Sequence, residues 1–155
     1  MEAMEQRLFA GCHCLDLGSG SGILSITALR LGAKTAIGVD IDPKAEDIAR
    51  ENTAYNNLNG FTAYTGNVLA DKKLIEKLQN RKYDFVFVNI VADVIVELAP
   101  ALPQFMEETG KVICSGILDT RLRDVISALE GAGLEITQTY AKEDWRCVCA
   151  QRKVR

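Results

Sequence analysis

Two apolar runs, each ending in an aspartate, frame a glycine-rich stretch near the start of this chain and restrict its fold more than any other feature. Leu15-Asp16-Leu17-Gly18-Ser19-Gly20-Ser21-Gly22 reads as a buried strand carrying an acid, then a glycine loop opening a helix. Val39-Asp40-Ile41-Asp42-Pro43 reads as the end of a second strand, tipped by another acid. That order is what a nucleoside ligand needs at the mouth of a doubly wound sheet. The glycines let the backbone approach the ligand, and an acid at the second strand's tip can accept from two ribose hydroxyls. Asp40 follows Gly18 by 22 residues, within the expected range for that acid.

Details of the loop decide which nucleoside. In the dinucleotide fingerprint G-x-G-x-x-G, Gly18 and Gly20 would place the third glycine at position 23, which holds Ile23; here it is Gly22. This disfavours a nicotinamide dehydrogenase. No Gly-Lys-Ser or Gly-Lys-Thr follows, so the P-loop also fails. Asp16, two residues before the first glycine, would repel a pyrophosphate but suits a ligand carrying positive charge. S-adenosylmethionine has an ammonium and a sulfonium and no phosphate. The D-x-G-x-G-x-G form therefore resembles the nucleotide-binding motif of class I methyltransferases.

Strand and helix patterns alternate along the chain, which predicts an α/β, Rossmann-like sheet, mostly parallel, with helices on both faces. Strands are expected over residues 12–17, 35–40, 61–65, 83–88 and 111–115, and 134–140 with 145–151 as a C-terminal antiparallel pair. Helices are expected over 20–31, after an Asp42 cap with Pro43 at the first helical position, around Leu74–Leu78, over 92–98 and along the Leu122/Val125/Ile126/Leu129 stripe. With 155 residues, 48% of them hydrophobic, the chain is read as one compact domain over 1–155.

No apolar run approaches the roughly 20 residues that span a bilayer. The start, Met1-Glu2-Ala3-Met4-Glu5-Gln6-Arg7, has no signal-peptide character, so a cytoplasmic location with no membrane partner is expected. A net charge of −3 without a basic stripe argues against DNA. Cys12, Cys14, Cys114, Cys147 and Cys149 lack the CxxC spacing of zinc and redox sites. They read as small apolar residues in buried strands, and no metal is expected; a Cys-His cluster with His13 is the alternative.

Ligands of open α/β sheets lie outside the carboxyl ends of the strands. Asp16, Gly18, Asp40, Asn67 and Asn89 each fall at or just past such an end. Gly20, Gly22 and Ile41 belong to the same two loops. Asn67 can donate to, or accept from, an adenine edge; many class I methyltransferases carry Asp there. Asn-Pro-Pro-aromatic, typical of enzymes that methylate planar exocyclic amines, is replaced here by Asn89-Ile90-Val91-Ala92. The aromatic clamp for a flipped base is missing. The Asn89 carbonyl can orient an amine beside the apolar Ile90, and Trp145 is a candidate to line the amine channel. His13 precedes the glycine loop, so no acid–base histidine is available.

The segments Asp16–Leu24, Gly38–Pro43, Asn89-Ile90-Val91-Ala92-Asp93-Val94-Ile95 and Ser115-Gly116-Ile117-Leu118 resemble the bacterial ribosomal protein L11 methyltransferases over essentially the whole chain. The resemblance implies an S-adenosylmethionine-dependent enzyme that methylates lysine or N-terminal amines of ribosomal protein L11. It places Gly18, Asp40 and Asn89 at the family's cofactor-contacting positions, with Asn89 as the catalytic candidate. The family also has an N-terminal substrate-recruiting domain and a cofactor-touching threonine segment, and the resemblance leads us to expect neither within these 155 residues. The resemblance is thus to the catalytic domain alone. Rival readings are a methyltransferase for another amine or for RNA, and a cofactor-binding unit with little activity of its own. Oligomeric state is left open.

Overall fold

The computed structural model describes residues 1–154. Seven strands form one sheet: β1 (His13–Leu17), β2 (Thr35–Asp40), β3 (Phe61–Thr65), β4 (Tyr83–Asn89), β5 (Met106–Leu118), β6 (Leu134–Lys142) and β7 (Trp145–Arg152). Their order is β3-β2-β1-β4-β5-β7-β6. The first five run parallel, β7 is antiparallel to β5, and β6 is antiparallel to β7. This is the expected α/β arrangement with its antiparallel C-terminal pair. From β1 the chain steps outward through β2 to β3, then returns to build β4 and β5 on the other side. That reversal between β1 and β4 opens a crevice above their carboxyl ends.

The helices are α1 (Glu2–Glu5), α2 (Ile23–Arg30), α3 (Pro43–Tyr55), α4 (Lys72–Gln79), α5 (Ala92–Leu98) and α6 (Leu122–Gly131). They cover both faces because β4, buried on both, sends alternate side chains into two cores. Val86 and Val88 enter the larger core with Leu15, Leu17 and Ile95. Phe85 and Phe87 enter the smaller one with Cys12, Cys14 and Met4. Each of these β4 side chains is at most 1% exposed, so removing one leaves a void; Phe87→Ala would cost about 3–5 kcal/mol.

Helix starts follow local chemistry. The Asp42 side chain accepts from the Lys44 N–H at 2.9 Å, capping α3 with Pro43 at its first position, as anticipated. Asp71 caps α4 by accepting from the Leu74 N–H at 3.1 Å. The second helix differs from expectation: it begins at Ile23, not at residue 20. Gly20 and Gly22 have φ of 50° and 85°, outside the right-handed helical region, so the helix cannot start until both are passed.

β5 also starts earlier than expected, at Met106 rather than 111. Residues 107–110, Glu-Glu-Thr-Gly, bulge out between the Tyr83–Met106 and Phe85–Lys111 pairs and carry no apolar alternation to announce a strand. Pro100 and Pro103 end α5 in a 3₁₀ segment, Ala99–Phe105. The cysteines behave largely as buried apolar residues: four are buried and Cys147 is partly so. His13 sits at the amino end of β1, where its Nδ1 is 2.7 Å from Thr35 Oγ1. Among the described residues no His/Cys/Asp/Glu group has metal-binding geometry, and no helix is long and apolar enough to cross a membrane.

Candidate active site

The glycine loop is held over the tip of β2 by its own backbone. Gly18 and Ser19 N–H groups both donate to the Val39 carbonyl, at 2.8 and 3.0 Å, and Gly22 N–H donates to Ser19 O at 2.8 Å. The Asp40 carboxylate completes the attachment: Oδ2 accepts from Gly20 N–H and Oδ1 from Asp42 N–H, each at 2.9 Å. Each carboxylate oxygen has two lone pairs, so one on each remains for hydroxyls of a ligand. Asp40 thus fixes the loop while still presenting two acceptors.

Gly18 must be glycine for two reasons. Its φ is 77°, and a Cβ there would overlap Ile90 Cγ2. The missing side chain lets the loop press against the end of β4. Gly22 plays a different part: a Cβ would stand 3.1 Å from the Ala49 Cβ, so this glycine lets the loop pack against α3.

Between these loops lies a cavity of about 460 Å³. Of the residues singled out from sequence, Gly18, Asp40, Ile41, Asn67 and Ile90 line it. Sequence reasoning missed Val94 and Leu98, which wall it from α5; their i, i+4 spacing was the available signal. The lining is apolar except for two polar side chains, Asp40 and Asn67. An apolar slot with a few convergent polar groups is what a nucleoside-sized ligand requires.

Asp16, Gly20, Gly22, Asn89 and Trp145 do not line the cavity. Asp16 lies one layer beneath the loop, 1% exposed. Its Oδ2 accepts from Ser25 N–H and Oγ at 3.2 and 2.8 Å, whereas Oδ1 has no partner. Burial pushes this carboxyl up to about 6, against the Ser25 hydrogen bonds that pull it down, with the nearby Asp40 charge adding to the rise. Gly20 serves through its N–H to Asp40. Asn89, exposed at the tip of β4, pairs in register with Ser115 on β5. Its carboxamide lies over Gly116, which sequence reasoning did not assign to the site: the register of β5 against β7 slips between Cys114 and Ile117, and Gly116 takes a φ of 76° within the slip. Trp145, 52% exposed, pairs with Leu118 across β5 and β7 at the same end of the sheet.

Known proteins share this sequence and architecture. A ribosomal protein L11 methyltransferase of Agathobacter rectalis is 42% identical over 140 residues, covering 89% of this chain and 43% of the relative. That of Fusobacterium nucleatum is 37% identical over 155 residues, covering 99% and 48%. The crystal structure of a ribosomal protein L11 methylase from Lactobacillus delbrueckii subsp. bulgaricus superposes with a TM-score of 0.90 at 30% identity, covering 99% of this chain and 77% of that one. The chain spans about half the length of the curated relatives it matches. The family model described as ribosomal protein L11 methyltransferase (PrmA) matches residues 1–153, and the chain belongs to that family.

Proposed function

We propose that this chain is the catalytic domain of an S-adenosylmethionine-dependent protein N-methyltransferase acting on lysine or N-terminal amines of ribosomal protein L11. The observation that carries this reading is the carboxylate of Asp40 at the tip of β2, locked to the glycine loop and facing an apolar cavity. An acidic rim suits a ribose and opposes a phosphate. The residues present fit the cofactor: Asp40 would take the ribose hydroxyls, the apolar walls and Asn67 the base, and the backbone at Gly18 the close approach. When bound, the cofactor supplies an electrophilic methyl group on a sulfonium.

What the chain itself must supply is position and dryness. Asn89, exposed at the tip of β4 just before the cavity-lining Ile90 and Val91, can accept from an incoming amine, and those two residues give that amine an apolar wall. A lysine of pKa about 10.4 must first lose a proton, which costs roughly 4–5 kcal/mol at neutral pH. Desolvation against the apolar wall lowers that barrier by disfavouring the ammonium form. No histidine stands at this end of the sheet among the described residues, since His13 begins β1 at the opposite end. Proton loss therefore goes to water or a carbonyl, and catalysis rests on orientation. Asp16, buried beneath the loop and bonded to Ser25, supports the start of α2.

The test is transfer of a labelled methyl group by this chain to ribosomal protein L11, to ribosomal RNA and to small amines, with cofactor binding followed calorimetrically. Labelling of L11 amines alone supports the reading. Labelling of RNA or small amines instead, or binding with no transfer to any of the three, opposes it and favours the rival substrates or a cofactor-binding unit.

A further inference from the structure

The turn that joins β6 to β7 is only Glu143-Asp144, since Lys142 pairs with Trp145 across the two strands. Such turns favour glycine or asparagine where φ is positive. Here Glu143 holds that place, at a φ of 53°. A strained turn of this kind persists only where its surroundings over-determine it. Two residues do so. Arg146 Nη1 donates to the Glu143 and Trp145 carbonyls at 2.7 and 2.9 Å, and its Nη2 lies 2.9 Å from Asp119 Oδ1. Asp119 N–H in turn donates to the Asp144 carbonyl at 2.8 Å. The ladder between β5 and β7 ends at the Leu118–Trp145 pair, so this clasp begins where the sheet stops. Asp119 itself follows directly on β5, just beyond Gly116, over which the Asn89 carboxamide lies.

We propose that Arg146 is a positioning residue for the acceptor amine: clasped to Asp119, it fixes the β6–β7 turn so that Trp145 stands as a preset wall at the Asn89 end of the sheet. This rests on the reading of the chain as an amine methyltransferase. Half-exposed tryptophans are typical anchors of a binding surface, and Trp145 is 52% exposed. A guanidinium suits the task because its planar fork reaches two carbonyls and a carboxylate at once, which a lysine ammonium does less well. The Asp119 side chain is 57% exposed, against 19% for Arg146. An ion pair with one partner that open adds little to global stability. Its loss therefore frees the turn without unfolding the chain. Apparent affinity for the acceptor then falls with the fraction of molecules whose turn is still in place. Those that do bind react at the usual rate.

Trp145 is the chain's only tryptophan, so its emission reports the turn directly. The experiment follows acrylamide quenching of that emission, and methyl transfer to ribosomal protein L11, in the full chain, Arg146→Met, Arg146→Lys, Asp119→Ala and the Arg146→Met/Asp119→Ala double variant. In Arg146→Met quenching should rise and KM for L11 should increase about threefold to tenfold, the range of one hydrogen bond. The kcat and the affinity for S-adenosylmethionine should stay as they were. Asp119→Ala should move both readouts the same way, Arg146→Lys should restore part of the loss, and the double variant should be no worse than Arg146→Met. Unchanged quenching in both single variants overturns the clasp. Raised quenching with unchanged KM overturns the part of Trp145 in placing the amine, and so does an equal loss of kcat and cofactor affinity, which would mean general damage. If the unsubstituted chain transfers no methyl group to L11, the functional reading falls and the amine-placing role with it, while quenching still judges the clasp by itself. Should Arg146→Met fail to fold, Asp119→Ala, which keeps its N–H to the Asp144 carbonyl, carries the same test.

Discussion

A Cβ added to Gly116 would lie 2.9 Å from Asn89 Oδ1. The two residues belong to neighbouring strands, and the slip in β5 that carries Gly116 forms the bed on which the Asn89 carboxamide rests. Gly116→Ala should act twice. At a φ of 76° it costs about 1–2 kcal/mol of stability, seen in denaturant unfolding. By pushing the carboxamide aside it should lower the rate of methyl transfer much more than cofactor affinity. Asn89→Ala should do the same without the stability loss. Normal turnover in Asn89→Ala would remove Asn89 from the mechanism.

Asp40→Ala removes both the loop attachment and the two free acceptors. A hydrogen bond to a charged group contributes about 1.5–3 kcal/mol, so S-adenosylmethionine should bind at least tenfold more weakly by calorimetry. Affinity equal to that of the parent chain would show that the ribose lies elsewhere.

Gly18→Ala should weaken cofactor binding and stability because the new methyl overlaps Ile90 Cγ2 and the backbone is left-handed. Adding Ile90→Ala relieves the overlap but not the strain. The double variant should regain part of the lost stability over Gly18→Ala, by an amount that a thermal-unfolding cycle reads directly. If the two changes simply add, the packing of the loop on β4 is not what requires glycine.

Asp16 gives the stability a pH dependence of known sign. Its carboxyl is raised from 3.8 to about 6. Between those values the folded chain holds a proton that the unfolded chain has released. The contribution is fully present below about pH 4 and is lost as pH rises through about 6, amounting to about 3 kcal/mol at most. Denaturant titrations of the chain and of Asp16→Asn at pH 4, 5, 6 and 7 should diverge over that window, with the variant gaining relative stability towards pH 7. Parallel profiles would mean that Asp16 is not titrating there.

Much of this protein was written locally. Strand periodicity, the Asp42-Pro43 cap and the glycine loop followed by Asp40 depend on residues near one another in the chain, and apart from the early start and late end of β5 they lie close to where local rules put them. Only the tertiary structure decided three matters, each because it depends on partners far apart in sequence. Helix α2 waits for Ile23 because the loop docks on Val39 and Asp40, holding Gly20 and Gly22 in left-handed conformations. Asp16, equally plausible as a ligand contact from its spacing, is turned under the loop to Ser25. Gly116 meets Asn89 only because β4 and β5 lie side by side in a register that the chain between them does not announce. Local sequence determines which elements form, whereas which atoms face the cavity is settled by how strands from opposite halves of the chain pack together.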